Sequence, residues 1–295
     1  MTHSHDTPTI GVFDSGFGGL TVLRALVDRL PRAHYAFIGD TARLPYGSKS
    51  RRTIARYAVE SAQFLVREQG AEFLVIACNT ASALALDAIQ DAVPVPVLGV
   101  IEPGATAARA ASTSNDVLVI ATDATIHSHA YATACQKLGM RALEKACPLL
   151  VPLVEEGWTT HSVTDQVIRI YLDELNAEAT AQGLHPDTLV LGCTHYPLLR
   201  PLIERAVPAG MKVIDSAESA ADAAVHLIGG TEPGCPIQSE SATAETDWVG
   251  DHQSPVLPST QIRCFATDSV EKFERLGSRF LGRPVGQVEL VDLGG

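Results

Sequence analysis

Two stretches of the chain align with each other, Phe73-Leu-Val-Ile-Ala-Cys78-Asn79-Thr80 and Thr188-Leu-Val-Leu-Gly-Cys193-Thr194-His195. Each is an apolar run of strand length that ends in a cysteine and small polar residues, after which a helix is predicted. Pro197 suits the first turn of the second helix. The repeat predicts two similar α/β units, each with a cysteine at the carboxyl end of a strand, where open α/β sheets bind their ligands.

Beyond this repeat, short apolar runs alternate with amphipathic helical stretches along the whole chain. The alternation is typical of βαβ units around parallel sheets, and 295 residues suggest about two domains. The predicted strands are Pro8–Phe13, Tyr35–Gly39, Phe73–Ala77, Val95–Val100, Asp116–Thr122, Pro148–Val151, Thr188–Gly192, Lys212–Asp215, Ile262–Ala266 and Gly286–Val291.

Local signals mark helix ends and one unusual segment. Asp268, with Glu271 three residues later, predicts a capping box for the last helix, and Gly70 and Gly139 stand where helix C-termini are expected. The segment Thr231–Thr260 has four prolines, five acids and no Lys or Arg. It is interpreted as a mobile surface insertion.

Composition excludes several functional classes. With 22 Lys and Arg against 34 Asp and Glu, the net charge of −12 argues against nucleic acid or an anionic membrane as the main partner. Six cysteines without a CxxC pair are expected to be reduced thiols. The N-terminal sequence has no signal-peptide pattern and no apolar run reaches membrane-spanning length, so a cytoplasmic location is expected.

The paired cysteines indicate acid–base chemistry. A cysteine at a helix N-terminus is expected to have its pKa lowered toward neutrality, and the polar neighbours of Cys78 and Cys193 are not needed by a core cysteine. Two such groups on opposite faces of a ligand are what stereoinversion at a carbon requires. Hydrolysis by Cys193 with His195 remains an alternative that geometry must decide. The other thiols are interpreted as small buried hydrophobic groups, namely Cys135, Cys147, Cys235 and Cys264.

Two turns have ligand-binding character. The glycine-rich turn that begins at Asp14 fails the dinucleotide pattern because its third glycine position is Thr21, and no Walker A pattern is present. We expect a substrate turn in which Asp14 receives an ammonium group or orients Cys78, although a purely structural turn fits as well. The turn Leu44–Ser48 offers donors for a carboxylate, but it also fits an ordinary turn.

Other candidate groups carry weaker signals. Glu155 fits either an acid that supports the site or a solvated charge. The HxH pairs His3/His5 and His127/His129 lack a third ligand at a diagnostic spacing, so no metal site is predicted.

Six motifs together resemble the glutamate racemases of the cofactor-independent aspartate/glutamate racemase superfamily. They cover most of the chain, and LPYG with CNTASA and CTHYPL is the more specific combination. The motifs are DSGFGGLTVL (14–23), GDTARLPYGSKS (39–50), ACNTASA (77–83), GVIEPG (99–104), VPLVEEG (151–157) and LGCTHYPLL (191–199).

The resemblance implies a fold of two pseudo-symmetric, doubly wound α/β domains with mainly parallel sheets and an active site in the cleft between them. Residues 1–99 with 213–295 would form the first domain, and 100–212 the second. Cys78 and Cys193 would be the two acid–base catalysts, one for each enantiomer of glutamate, with no pyridoxal phosphate, metal or other cofactor. Asp14, His195 and Glu155 would assist them. The implied substrate-binding residues are Asp14, Ser15, Tyr46, Gly47, Asn79, Thr80, Thr125, Thr194 and His195.

The resemblance also implies a biological role and partners. D-Glutamate supplies peptidoglycan synthesis, and hence the cell wall and cell shape. A homodimer is expected, and DNA gyrase, bound by some family members, is a partner that no feature of this sequence supports. Ala124 replaces the usual glycine before Thr125. Because few residues precede the first predicted strand, activation by a peptidoglycan precursor, which uses an N-terminal extension in some family members, is not expected. The competing functions are racemisation of aspartate or a related amino acid, and an amino-acid-binding or interaction protein without turnover.

Overall fold

Two parallel sheets organise the computed structural model, which describes residues 7–229 and 260–294. The strands are β1 (Thr9–Asp14), β2 (His34–Gly39), β3 (Phe73–Ile76), β4 (Val97–Gly99), β5 (Asp116–Ala121), β6 (Arg141–Ala146), β7 (Thr188–Gly192), β8 (Lys212–Asp215), β9 (Ile262–Ala266) and β10 (Val288–Leu290). The central strands β1, β3, β5 and β7 are apolar almost throughout, as strands covered on both faces must be.

Helices connect the strands in both sheets. They are α1 (Leu20–Arg29), α2 (Arg51–Arg67), α3 (Asn79–Leu84), α4 (Leu86–Ala92), α5 (Ile101–Ala111), α6 (Asp123–His127), α7 (Ala130–Lys137), α8 (Leu150–Glu155), α9 (Ser162–Ala181), α10 (Arg200–Ala206), α11 (Ser216–Gly229) and α12 (Val270–Leu281). Three short 3₁₀ turns occupy Thr41–Arg43, Tyr46–Ser48 and Tyr196–Leu199. No helix among the described residues is long and apolar enough to cross a membrane.

The two sheets repeat one strand order. The larger sheet runs β10-β9-β2-β1-β3-β4 and the smaller runs β6-β5-β7-β8, with every pairing parallel. In each, the first strand of the unit (β1 or β5) is flanked by the second and third, so the connections leave it in opposite directions. This confirms the predicted α/β class with two similar, doubly wound halves.

A shared apolar layer joins the two halves. One cluster of buried side chains contains Phe37 of β2, Leu189 of β7 and Ala221 of α11. Helix α11 packs on α1, so an element that follows the smaller sheet lies against the larger one. Burial of this layer, at about 25 cal/mol per Å² of apolar surface, fixes how the carboxyl ends of the two sheets face each other.

Most strand predictions are confirmed, but one is wrong. The run Pro148–Val151 is not a strand, because Leu150 begins α8 and Pro152 lies in its first turn, where a missing N–H costs no hydrogen bond. The strand of this unit is instead β6, residues Arg141–Ala146, at an edge of the smaller sheet. Three of its six side chains are charged and only Leu143 is buried, so β6 lacks the apolar run that predicted the other strands.

Of the helix-end predictions, the two glycine positions are confirmed and the capping box is wrong. Gly70 and Gly139 follow α2 and α7 with φ of 68° and 76°, the left-handed conformation that glycine adopts freely, so both predictions are confirmed. The capping box is absent. Ser269 occupies the N-cap of α12 without a side-chain cap, and Asp268, one residue too early, accepts a hydrogen bond from the Ser269 N–H at 2.7 Å.

The domain boundaries stay a prediction. Strand β8 pairs with β7, so a boundary between residues 212 and 213 passes through a strand of the smaller sheet. We propose that the chain crosses back after Asp215, where α11 begins. The proposed insertion Thr231–Thr260 lies outside the described residues except for Thr260.

Candidate active site

Polar side chains gather where strands of both sheets end. Cys78 follows β3 and Cys193 follows β7, and both thiols line one cavity of about 370 Å³, within the usual range for small-molecule sites. The side chains and backbone around this cavity come from both halves of the molecule. They are Ser15, Leu44, Pro45, Tyr46, Gly47, Cys78, Asn79, Thr80, Thr122, Val151, Pro152, Glu155, Glu156, Cys193, Thr194, His195 and Lys272.

Cys78 stands at the N-cap of α3. Its Sγ accepts a hydrogen bond from the Ala81 N–H at 3.5 Å and donates to Ser15 Oγ at 3.3 Å. The Ala81 N–H stabilises the thiolate, as does the Ser15 hydroxyl when it donates to the ionised sulfur, yet burial outweighs both, and the charge of Asp14 acts in the same direction as burial. The pKa of Cys78 is therefore raised to about 11.

Cys193 lies in an even less favourable setting for a thiolate. It precedes a short 3₁₀ turn rather than an α-helix, and burial raises its pKa above the ordinary value despite the backbone N–H of His195. Ionised Cys78 and Asp14 would raise it further. The expectation that helix N-termini lower both pKa values is wrong, because desolvation of a buried thiolate exceeds the stabilisation that the N–H groups provide.

Asp14 lies at the end of β1, behind the cavity wall. It is 1% exposed, and its Oδ2 accepts a hydrogen bond from the Gly16 N–H at 2.9 Å. Burial raises the pKa of this carboxyl, while His195 and the N–H groups of Gly18 and Gly19 oppose the rise. Asp14 is thus placed to act on Cys78 through its charge and does not line the cavity.

His195 lies between Cys193 and an acid. Its Nδ1 is 4.0 Å from Cys193 Sγ and 3.4 Å from Thr194 Oγ1, and its Nε2, which makes no hydrogen bond within the described residues, is 3.5 Å from Glu155 Oε1. Glu155 accepts a hydrogen bond from Lys272 Nζ at 3.3 Å. Burial raises the pKa of Glu155, but His195 and Lys272 lower it more, so it lies below the ordinary value.

Gly18 brings the glycine-rich turn against the second cysteine motif. A β-carbon at this position would lie 2.3 Å from Thr194 Oγ1 and 2.6 Å from His195 Nδ1. Thr21, in the first turn of α1, donates a hydrogen bond to the carbonyl of Thr194 at 3.2 Å. The glycine is therefore required by close approach of the two halves and not by a dinucleotide.

The comparisons with known proteins agree with this geometry. The sequence matches the family model described as Asp/Glu/Hydantoin racemase over residues 10–224. The chain belongs to the Asp/Glu/Hydantoin racemase family. It is 54% identical to a glutamate racemase of Koribacter versatilis over 294 residues, which is 99% of this chain and the whole of that protein.

Solved racemase structures share the fold over nearly the whole chain. A glutamate racemase isoform from Bacillus anthracis has a TM-score of 0.82 and 33% identity, covering 98% of this chain and 99% of that one. A glutamate racemase from Francisella tularensis, solved in complex with D-glutamate, has a TM-score of 0.80 and 33% identity, with 98% of each chain covered. The resemblance drawn from the motifs is confirmed, and the chain is an amino-acid racemase.

Ten of the twelve site residues predicted for this racemase line the cavity; Asp14 and Thr125 do not. Asn79 accepts a hydrogen bond from Tyr131 OH at 2.7 Å, while its Nδ2 has no hydrogen-bond partner among the described residues. Tyr46 donates to Asp40 Oδ2 at 2.6 Å. Asn79 and Tyr46 are thus held in fixed orientations at the cavity wall.

A cluster of three threonines joins the two halves of the racemase beside the cavity. Thr80 Oγ1 lies 3.1 Å from Thr122 Oγ1 and 3.2 Å from Thr125 Oγ1, and the last two are 3.0 Å apart. Thr122 lines the cavity, whereas Thr125 is fully buried behind it. Sequence reasoning missed Thr122, although its place directly after β5 matches that of Ser15 directly after β1.

The other cavity-wall residues that the sequence did not predict lie in or next to α8, part of which was predicted as a strand, and in α12. Val151, Pro152 and Glu156 belong to α8 or follow it directly, and Lys272 lies in α12. The repeat gave no signal for Lys272, because α12 has no counterpart in the second copy.

The remaining thiols and histidines lie elsewhere. Cys135, Cys147 and Cys264 are buried away from the cavity wall, and Cys235 lies outside the described residues. His127 Nδ1 is 2.8 Å from the Asp123 carbonyl and His129 Nδ1 is 2.9 Å from Glu144 Oε2, while His3 and His5 are not described. Within residues 7–229 and 260–294, no group of three or more candidate ligands is placed to hold a metal ion.

The hydrolytic alternative fits this racemase site poorly. Hydrolysis needs one nucleophile and its base, which would be Cys193 with His195. The second thiol on the cavity wall has no role in that reaction.

Proposed function

We propose that this racemase interconverts L- and D-glutamate by proton transfer at the α-carbon between Cys78 and Cys193, without a cofactor. The observation that carries the proposal is the pair of thiols on the wall of one cavity, each after the equivalent strand of its half. Relatives of the same length are glutamate racemases, and one was solved with D-glutamate bound.

The proposed reaction conserves all atoms. One cysteine, as thiolate, takes the α-proton as the Cα–H bond breaks, and the opposite thiol gives its proton to the other face of that carbon. The enzyme is left with the thiol and thiolate exchanged, and proton exchange with neighbouring groups restores it. Asp14 beside Cys78 and His195 beside Cys193 are the groups placed to assist that exchange.

The raised thiol pKa values have a chemical use. An α-proton next to a carboxylate is a weak acid, so a strongly basic thiolate removes it more readily than a weakly basic one. The cost lies in forming that thiolate. With a pKa of about 11 for Cys78, ionisation at pH 8 costs about 4 kcal/mol. Enclosure of the cavity strengthens the hydrogen bonds that stabilise charge on the substrate.

Donors for the two carboxylates of glutamate surround the thiols. We assign substrate contacts to Ser15, Asn79 and Thr80 near Cys78 and to Thr194 near Cys193. The turn that holds Tyr46 and Gly47 is proposed to bind a carboxylate. Two observations support these assignments. The Asn79 Nδ2 has no hydrogen-bond partner among the described residues, and Thr80 and Thr122 of the threonine cluster line the cavity.

The proposal extends to the setting in which the enzyme works. D-Glutamate is a precursor for peptidoglycan, so we place the reaction in cell-wall synthesis in the cytoplasm and expect a homodimer. DNA gyrase gains no support from the site.

The first test follows the optical rotation of L-glutamate with purified, reduced protein, with chelator and without added cofactor. Rotation should decay to zero, and L-aspartate should lose its rotation at least about a hundredfold more slowly. Decay with aspartate alone would assign the chain to the competing substrate. Binding of glutamate without decay would identify a binding protein.

The second test examines the two thiols. Cys78→Ala and Cys193→Ala should each lower kcat at least about a thousandfold, because each removes a proton-transfer group, while glutamate still binds. Cys264→Ala is the matched control, since it removes a buried thiol that does not line the cavity and should retain activity. Near wild-type racemisation by either active-site variant would refute the two-thiol mechanism.

A further inference from the structure

Lys272 forms an ion pair between the two halves at the cavity. It lies in the first turn of α12, whose Phe273 packs against Phe37 of the larger sheet. Its Nζ is 3.3 Å from Glu155 Oε2, at the end of α8 in the smaller half. The ion pair therefore links α12, which packs on the larger sheet, to the cavity wall beside Cys193.

The carboxylate of Glu155 is shared between two partners. While Oε2 contacts Lys272, Oε1 lies 3.5 Å from His195 Nε2, and His195 Nδ1 is 4.0 Å from Cys193 Sγ. The side chain of Lys272 is 46% exposed, against 23% for Glu155 and 11% for His195. The lysine thus stands at the solvent end of a line of four side chains that ends at the thiol.

The other charges near this line are few. Glu156 lies on the same wall, and Asp14 interacts with His195 from behind it. Among the described residues, Lys272 is the only lysine or arginine that lines the cavity. No other fixed positive charge on that wall replaces it at Glu155.

We propose that Lys272 is a positioning residue for Cys193. It holds Glu155 as a carboxylate, turned so that its second oxygen faces His195, and His195 in turn keeps its Nδ1 toward the thiol. This inference rests on the proposed function, because it assigns Cys193 a proton-transfer role.

The direction of the pH effect follows from the charges. Lys272 and His195 hold the pKa of Glu155 below its ordinary value. A role that needs the carboxylate is lost as the pH falls through that pKa. Removing the lysine raises this pKa, so activity is lost at a higher pH than in the wild type.

The test compares Lys272→Met, Lys272→Arg and the control Arg275→Met. Arg275 lies in the same helix, is exposed and makes no ion pair or hydrogen bond among the described residues, so its loss changes the net charge equally. Lys272→Met should lower kcat/KM for glutamate about tenfold and move the acid limb of its pH profile up by roughly half a pH unit. Lys272→Arg should stay within twofold, and Arg275→Met should match the wild type.

A double-mutant cycle with Glu155→Gln separates this role from a direct contact between lysine and substrate. If Lys272 acts through Glu155, adding Lys272→Met to Glu155→Gln should change kcat/KM less than twofold. The loss must be equal for both enantiomers, because their equilibrium constant is one. Additive losses, an unshifted pH profile or a rise in KM alone would overturn the inference. An inactive wild type would instead refute the proposed function.

Discussion

At the scale of single residues, the two thiols show how burial reverses a local electrostatic effect. Cys78 has the N-cap position and the Ala81 N–H that stabilise a thiolate, and still its pKa is raised to about 11. Ionising a group that is shielded from water costs more free energy than hydrogen bonds from one or two N–H groups provide. A thiolate formed in this cavity is consequently scarce and strongly basic.

Thr122 and Thr125 differ in a way that mutation can measure. Only Thr122 lines the cavity, whereas Thr125 is fully buried behind it. Thr122→Val should raise KM for glutamate about tenfold, the effect of losing one hydrogen bond of about 1.4 kcal/mol to the ligand. Thr125→Val is the matched control and should change KM less than threefold. Steady-state kinetics with each enantiomer measures both KM values. A larger rise in KM for Thr125→Val than for Thr122→Val would assign the substrate contact to Thr125.

At the scale of elements, Asp187 joins the segment before β5 to the start of β7. Its carboxylate accepts hydrogen bonds from Ser112 Oγ at 2.6 Å, from the N–H and hydroxyl of Thr113 at 2.7 Å, and from the Ser114 N–H at 3.0 Å. Burial raises the pKa of Asp187, but these donors lower it further, so it lies far below the ordinary 3.8. The ionised carboxylate therefore fixes the register between the two elements.

Asp187→Asn should lower the free energy of unfolding by about 2 kcal/mol at pH 7, because the charged acceptor is lost. A depressed pKa stabilises the folded state fully above the unfolded value near 4, and this contribution declines as the pH falls below it. The difference in the free energy of unfolding between wild type and variant should therefore become smaller below pH 4. Urea unfolding at pH 7 and at pH 3.5 measures this difference at each pH. Asp173→Asn, which removes an exposed carboxylate of α9 that makes no hydrogen bond among the described residues, should show neither effect.

At the scale of the whole molecule, the cavity exists only where the two halves meet. The close approach at Gly18, the threonine cluster and the Lys272–Glu155 ion pair all cross between them. A ligand held by both halves stabilises them together, since it binds the assembled state and not the separate parts. The shared apolar layer also couples the unfolding of the two halves, because it is buried only when they are packed together.

Glutamate at about one hundred times its dissociation constant should thus stabilise the protein by about 2.7 kcal/mol and raise Tm by roughly 5 °C in one transition. Differential scanning calorimetry with each enantiomer measures this shift. Cys78→Ala should show a similar rise, because the thiol moves a proton and contributes little to binding. Two transitions, of which only one shifts, would mean that one half binds the ligand alone.

Sequence patterns alone predicted the α/β class, the repeat and nine of the ten strands within the described residues, because apolar periodicity and the cysteine motifs are local features. The resemblance carried by the motifs supplied ten residues of the cavity wall, and Cys78 and Cys193 among them follow parallel strands, whose carboxyl ends meet at one edge. The edge strand β6 was missed because three of its six side chains are charged and only Leu143 is buried.

The remaining features depend on how distant parts of the chain pack together. The sign of the thiol pKa shifts depends on how deeply the two halves bury each group, and the choice of Thr122 over Thr125 depends on which hydroxyl faces the cavity. Lys272 reaches Glu155 across 117 positions of sequence. Such a contact is set by the packing of α12 on the larger sheet, and local sequence patterns do not encode distances between elements that are far apart in the chain.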